Sequence, residues 1–549
     1  MADVDGAGPC TRTEHAPGVG EPVPIADPMW SHHGAAPPVR AASPKKSTLG
    51  NPVNATLSLA SILAEPARRR PNHLALIEGE HRITFADLWR QAREQAGALM
   101  ARGVRPGDRV ALLCPNTADF PRAYFAILAA GATVVPVHLL LTAPEMEYVL
   151  RDSEASLLVC HPMVAQTGAA AASGAGIDIV APDELVGEPI PAFVSRGPLD
   201  TAVVFYTSGT TGTPKGAELS HLNMVMCATV NTFDANEIHR DDIALGALPL
   251  FHVFGQTVSM NSHWRVGGTL VLMPRFDAAA AVSLMAAENV NLFHGVPTMY
   301  IALIEAASSA PELPALKLCV SGGAALPVAV LEDFERVFHA PVLEGYGLSE
   351  TSPTAAVNQP IYGTEAGTVG HPVWGVDVEI ADPAITDRIV LLPVGETGEV
   401  VVRGHNVFSG YTGRPEATAA AVVDGWFRTG DLGTRDETGR VRIVDRIKEM
   451  ILRGGFNVYP TEVEAALMRH PRIAQVAVIG VPDEHYGEEI VAVVVPDGEL
   501  TERDVIEFGK EQVARYKYPR RVEFVTELPL GPTHKVLKRE LRRRFGGAA

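Results

Sequence analysis

The chain has 549 residues, 46% of them hydrophobic and 20% charged, with a formal net charge of -18. This length exceeds what one hydrophobic core normally serves, so two or more domains are expected, and the composition excludes wholesale disorder. The acidic balance argues against a general nucleic-acid binder, which needs a basic face for phosphates, and it gives weight to any lysine or arginine beside a candidate anion site.

Residues 1–52 are rich in Pro, Gly, Ala and Ser without helical or strand period, and they read as a disordered tail. Order is expected from Leu57-Ser58-Leu59-Ala60 onward. Thr84-Phe85-Ala86-Asp87-Leu88 opens a helix running toward Leu99, and Val110-Ala111-Leu112-Leu113 and Thr133-Val134-Val135-Pro136-Val137 read as strands. Amphipathic helices alternating with short apolar strands imply an α/β fold with largely parallel sheets. Cys10, Cys114, Cys160, Cys227 and Cys319 lack metal-ligand spacing and read as small buried hydrophobes or free thiols. No apolar run reaches membrane-spanning length and the N-terminus lacks the order of a signal peptide, so a cytoplasmic location is the expectation.

The densest chemistry lies in Tyr206-Thr207-Ser208-Gly209-Thr210-Thr211-Gly212-Thr213-Pro214-Lys215-Gly216, which follows the short buried strand Ala202-Val203-Val204-Phe205. Its glycines let backbone N–H groups approach a ligand, its hydroxyls add donors and Lys215 adds a charge, a combination that cradles phosphate oxygens. The spacing is not that of a Walker A loop. A helix is expected from about Ser220, with Ser220 as its N-cap.

Further along, Leu248-Pro249-Leu250-Phe251-His252-Val253-Phe254-Gly255 sets a histidine among apolar and aromatic residues. Cys319-Val320-Ser321-Gly322-Gly323-Ala324-Ala325-Leu326-Pro327 reads as a strand end opening into a tight Gly-Gly turn. Glu344-Gly345-Tyr346-Gly347-Leu348-Ser349-Glu350-Thr351 offers an aromatic face, a hydroxyl and carboxylates, and Asp424-Gly425-Trp426-Phe427-Arg428-Thr429-Gly430-Asp431 ends on an acid. Then come Asp445-Arg446-Ile447-Lys448-Glu449-Met450, continuing through Gly454-Gly455-Phe456-Asn457, and Leu528-Pro529-Leu530-Gly531-Pro532-Thr533-His534-Lys535. Between the last two, Ala474–Ile479, Ile490–Val495 and Val522–Val525 read as strands and 502–515 as a helix, while the basic run 538–544 reads as a solvated helix face.

Taken in order, these segments resemble the adenylate-forming superfamily of acyl-CoA synthetases, luciferases and peptide-synthetase adenylation domains, and most of all the bacterial long-chain fatty-acid–CoA ligases. The resemblance spans roughly residues 53–545. It implies a large N-terminal domain (53–444) of mainly parallel sheets flanked by helices, with a β-barrel-like part, and a small mobile C-terminal α+β domain (445–549). It further implies that Thr207, Ser208, Gly209, Thr210, Thr211 and Lys215 hold the ATP phosphates. Gly323, Glu344, Gly345, Tyr346 and Ser349 would receive the adenine and the adenylate phosphate, Asp431 the ribose hydroxyls, and Arg446 the nucleotide. Gly454, Gly455 and Asn457 would lie on the coenzyme A side. His252, Phe254, Gly322 and Gly347 would border the acyl group, and Glu350 with Thr207 would hold Mg2+. Lys448 falls at the family's hinge and Lys535 aligns with its catalytic lysine. His534 stands where the family usually has Gly, and Lys538 is a nearby rival.

The activity implied is a two-step ligation: a carboxylic acid, expected to be a medium- or long-chain fatty acid, reacts with ATP to give acyl-AMP and pyrophosphate, and then with coenzyme A to give the thioester. An aryl acid, or a carrier protein as acceptor in a fatty acyl-AMP ligase, are the alternatives. Apolar Pro249-Leu250-Phe251 argues against an amino acid, because no aspartate is available there to hold an amine. Expected partners are the acid and coenzyme A, with no nucleic acid, no transmembrane segment, peripheral membrane contact left open, and a monomer or homodimer.

Overall fold

Apolar runs such as Val110–Leu113 and Val203–Phe205 have no polar face, so they belong in sheets covered on both sides. The computed structural model describes residues 55–207, 213–531 and 535–546, and it places these runs in two large sheets. The expected tail lies outside the described residues.

The nine-stranded sheet runs His371–Pro372, Thr354–Val357, Val342–Gly347, Leu318–Gly322, Leu292–Gly295, Ile243–Gly246, Thr269–Leu272, Leu74–Glu78, His81–Thr84. Its six inner strands, from Val342–Gly347 to Leu74–Glu78, are all parallel; antiparallel strands close both edges. The seven-stranded sheet runs Gly410–Tyr411, Lys215–Ser220, Thr201–Thr207, Thr133–Pro136, Arg109–Leu113, Leu157–Cys160, Asp178–Val180, parallel from Thr201–Thr207 onward. Helix Phe85–Ala101 begins where expected, with the Thr84 side chain accepting from the Asp87 N–H.

Fully buried Trp264 joins this core, donating its indole N–H to the Ala75 carbonyl at 3.0 Å and packing on Phe85 and Phe125. Cys114, Cys160, Cys227 and Cys319 are buried and free. No described helix is long and apolar enough to cross a membrane.

Two smaller sheets follow. The part expected to be barrel-like is an open antiparallel sheet of Val376–Ala381, Gly398–Gly404, Trp426–Arg435 and Val422–Val423, with Val441–Arg446 on the far part of Trp426–Arg435. The C-terminal sheet pairs Ile473–Asp483 with Gly487–Pro496 antiparallel and adds Arg521–Phe524 parallel to the latter. Helices Pro460–Leu467, Glu502–Gln512 and Lys538–Phe545 belong to this part. Asp445 and Arg446, expected to open the small domain, are the last residues of a strand in the preceding sheet. Asp445 also accepts the Thr461 N–H at 2.9 Å, where helix Pro460–Leu467 begins.

Thr207 and Lys215 face each other across an antiparallel strand pair, and the helix His221–Val230 begins after the second strand with Ser220 as the expected N-cap. One local expectation changes. The basic run is not uniformly solvated. Leu541 is buried, and Lys538, 13% exposed, pairs with Glu464 at 2.8 Å and Glu449 at 3.5 Å.

Arg428 and Glu399 form a buried pair in the antiparallel sheet, 9% and 6% exposed, through two guanidinium nitrogens on one carboxylate oxygen at 2.8 and 2.5 Å. Breaking such a pair strands a buried charge. Arg428→Ala should therefore lower stability by about 3–5 kcal/mol, read as an earlier urea-unfolding midpoint; an unchanged midpoint contradicts this account of the sheet.

Candidate active site

In a parallel α/β sheet, ligands gather outside the carboxyl ends of the strands. Here those ends are Gly322 and Gly323 after Leu318–Gly322, and Gly345, Tyr346 and Gly347 at the end of Val342–Gly347. Gly322 and Gly345 face each other in register. Gly347 admits no side chain, because a Cβ there would lie 1.7 Å from the Pro353 carbonyl oxygen.

Strand register assembles the first polar corner. Asp431 and Arg446 are directly opposed on Trp426–Arg435 and Val441–Arg446, so their side chains share one face. Arg446 Nε lies 3.1 Å from Asp431 Oδ1, while the Tyr346 hydroxyl donates to Asp431 Oδ2 at 2.7 Å. Asp431 is 5% exposed and Arg446 49%. Burial pushes the Asp431 carboxyl up, opposed chiefly by Arg446. Three residues from two sheets thus converge into a fixed set of donors and acceptors suited to a nucleoside.

Glu350 forms the second corner. Its side chain is buried, and burial raises its carboxyl while the Tyr411 hydroxyl, donating to Oε1 at 2.9 Å, and the Thr207 side chain stabilise the charged form. Lys215 sits 5.2 Å above the Tyr411 ring. A buried carboxylate beside a threonine hydroxyl is an all-oxygen set, and no cluster of three or more acidic, His or Cys side chains stands ready for a metal among the described residues. That fits Mg2+, which takes one or two carboxylates and completes its shell with water and substrate phosphate. Ser349 lies next to Glu350 in the short turn Ser349–Thr351.

The third element comes from the C-terminal part. Lys535 follows strand residue Leu530 in a loop tied by the Leu530–Val536 bridge and by the Gly531 N–H donating to the Lys535 carbonyl at 2.6 Å. Its side chain reaches Gly323: a Cβ built there would stand 3.1 Å from Lys535 Cε, and Gly323 holds φ +87°. Burial, aided by Arg446, pushes the ammonium down to about 8, with Asp431 opposing. Lys538, the rival, is engaged with Glu464 and Glu449 instead.

Lys535 closes a small cavity of about 20 Å³ that Leu248, Pro249, His252, Phe254, Val296 and Gly323 also line. Burial, and after it Lys535, pushes His252 down to about 3, so its imidazole is neutral. The Phe254 ring rests against Gly322, where a Cβ would lie 3.1 Å from its Cζ.

The structure thus brings Thr207, Lys215, Gly322, Gly323, Gly345, Tyr346, Gly347, Ser349, Glu350, Asp431, Arg446, Lys535, His252 and Phe254 to neighbouring strand ends and the loops over them. Glu344, buried and accepting the Gly367 N–H at 2.8 Å, holds a loop in place; burial raises its carboxyl to about 7. Lys448 is exposed in the turn after Val441–Arg446. Gly454, Gly455 and Asn457 are exposed on the hairpin of Ile451–Arg453 and Phe456–Val458, which turns at the two glycines with φ +58° and +82°. Ser208, Gly209, Thr210, Thr211 and His534 lie outside the described residues. Sequence reasoning missed Tyr411 and Val296. Tyr411 sits on a two-residue edge strand with no local pattern, so only the fold reveals that it buttresses Glu350.

The AMP-binding enzyme family model matches residues 63–412, and the model of the AMP-binding enzyme C-terminal domain matches residues 462–535. The chain belongs to this family. It is 40% identical over 484 residues to a feruloyl-CoA synthase of Amycolatopsis sp, covering 87% of this chain and 97% of that one. It is 34% identical over 531 residues to a long-chain-fatty-acid–CoA ligase of Bacillus subtilis strain 168, covering 88% and 94%. The crystal structure of ATP-bound MatB from Rhodopseudomonas palustris superposes with a TM-score of 0.81 at 33% identity, over 89% of this chain and 99% of that one. This AMP-binding enzyme is an AMP-forming acid–CoA ligase that uses ATP, Mg2+ and coenzyme A.

The Lys535 ammonium carries its charge below about pH 8 and loses it above. Because kcat/KM reports the free enzyme, kcat/KM for acyl-AMP formation should fall as pH rises through about 8. In Lys535→Arg, whose guanidinium stays charged, that limb should disappear from the residual activity; its persistence at the same pH would assign it to another group.

Proposed function

We propose that this ligase activates a flat aryl acid of the hydroxycinnamate kind and joins it to coenzyme A. The observation that carries the reading is the 40% identity to a feruloyl-CoA synthase, over 97% of that protein. A medium- or long-chain fatty acid is the second reading, favoured by the apolar lining and by the 34% identity to the long-chain ligase of Bacillus subtilis.

In the first step a carboxylate oxygen attacks the α-phosphorus of ATP. The new P–O bond forms as the bond to pyrophosphate breaks, giving acyl-AMP. Asp431, Tyr346 and Arg446 hold the nucleoside, Thr207 and Lys215 flank the phosphates, and Lys535 presents a cation to the charge developing between carboxylate and phosphate. Preorganised groups of this kind act mainly through position and electrostatics. Glu350 and Thr207 would hold Mg2+, which would supply charge neutralisation at the triphosphate. His252, neutral and walled by apolar groups, borders the acyl carbonyl.

The C-terminal part beyond the strand Val441–Arg446 then turns about Lys448. This withdraws Lys535 and swings the exposed Gly454–Asn457 hairpin toward the site. The thiol sulfur attacks the mixed anhydride carbonyl, its proton passes to solvent or a base, and AMP leaves.

Lys535→Ala should slow pyrophosphate-releasing acyl-AMP formation by on the order of 10²–10³, yet leave thioester formation from supplied acyl-AMP within about threefold of wild type. Equal loss in both half-reactions would falsify the role given to Lys535. In the same assay, hydroxycinnamates should exceed palmitate in kcat/KM with coenzyme A as acceptor; the reverse order moves the assignment to fatty acids.

A further inference from the structure

Beyond Phe254, which lines the cavity, the helix turns polar. Residues Phe254–Asn261 form a π-helix, an uncommon form that recurs at functional sites. Its i→i+5 bonding makes residues four and five apart neighbours along one face, so Phe254, Ser259 and His263 follow one another away from the site. Ser259 and His263 are fully buried. The Ser259 Oγ has no hydrogen-bond partner. His263 sits near the Ser259 and Val258 backbone, yet neither of its nitrogens has a partner of hydrogen-bond geometry.

Strand register brings a second wall to the same place. His294 is paired with Val320, and Val320 shares a sheet face with Gly322 two residues on. His294 therefore faces the side on which Phe254 covers Gly322, about 7 Å deeper along the sheet. It is 1% exposed, its Nδ1 has no partner, and its ring meets that of His263 edge to face at 5.3 Å. Buried polar atoms almost always find partners, and leaving one bare is costly. Here several bare atoms cluster on two walls that begin at the acyl cavity. Nine helical steps lead from Phe254 to His263, on the order of 10–14 Å, the reach of a ring carried on a short carbon chain.

We propose that Ser259, His263 and His294 form the far end of the acyl pocket and hydrogen-bond a hydroxyl carried by the acid at the end remote from its carboxylate. The two imidazoles, kept neutral by burial, can each accept or donate, and the Ser259 hydroxyl can do either. The choice of a hydroxycinnamate over an unsubstituted cinnamate rests on the aryl-acid reading above; the polar terminus itself does not.

The test compares kcat/KM, by pyrophosphate release with coenzyme A, for two matched pairs on the wild-type enzyme: para-hydroxycinnamate against cinnamate, and ω-hydroxyoctanoate against octanoate. A site built around a hydroxyl strongly rejects the analogue lacking it, so in the pair that is turned over the hydroxylated acid should be favoured at least tenfold. A smaller ratio overturns the inference. Turnover of the octanoates alone sinks the aryl reading, and their ratio still decides the polar terminus. His294→Leu should reduce the ratio at least tenfold; if that protein does not fold, Ser259→Ala is read in its place, and an unchanged ratio in the folded variant also overturns the proposal.

Discussion

A cation has to reach a desolvated pocket from a separate part of the chain, and much of the site is arranged around that requirement. Lys535 enters against Gly323, where any side chain would crowd its Cε. Burial weakens its charge, and Arg446 weakens it further. Asp431 opposes both, so the carboxylate that positions Arg446 also helps keep the lysine protonated. A triphosphate entering the same space would strengthen that bias, since an opposite charge nearby favours the charged form. The site is thus most strongly cationic when its anionic substrate is present, which suits the role proposed for Lys535.

The anionic corners are held differently. Asp431 depends on cross-strand register, so a slip by one residue would move Arg446 to the opposite face of the sheet. Glu350 depends on a tyrosine from the edge strand Gly410–Tyr411, which pairs with Lys215–Ser220 of the other large sheet. Each carboxylate is buried and each carries a phenol as donor, Tyr346 on Asp431 and Tyr411 on Glu350. A phenol stabilises a carboxylate without cancelling its charge, leaving that charge for the ribose and the metal ion proposed as their ligands.

The parts of the site legible in the sequence were those whose chemistry is local. Glycine pairs, hydroxyl-rich turns and a carboxylate beside them mark a nucleotide corner because a few adjacent backbone groups make it. The apolar strand runs likewise announced parallel sheets, and Thr84 and Ser220 capped the helices expected of them. Other features needed the fold. Tyr411 reaches Glu350 from 61 residues away, and the opposition of Asp431 to Arg446 is a matter of register that no spacing rule yields. Lys538 read as solvated because its run is basic, yet it lies against Glu464, a partner 74 positions earlier that only packing supplies. The pairing of Thr201–Thr207 with Lys215–Ser220, which sets Thr207 opposite Lys215, likewise needed the fold.

The acyl end was least legible for a related reason. Its lining mixes one apolar motif, 248–255, with Val296, a single residue just after the strand Leu292–Gly295 whose place in the chain carries no pattern. An apolar motif alone points to an alkyl chain. What alters that inference is the continuation of the same helix, in which buried hydroxyl and imidazole groups replace the aliphatic side chains a lipid tunnel would require. A methylene gains about 0.8 kcal/mol from an apolar wall, but laid against bare polar atoms it gains little and leaves them unpaired. On the polar terminus proposed above, the depth at which the wall turns polar sets an upper length on any purely hydrocarbon substrate.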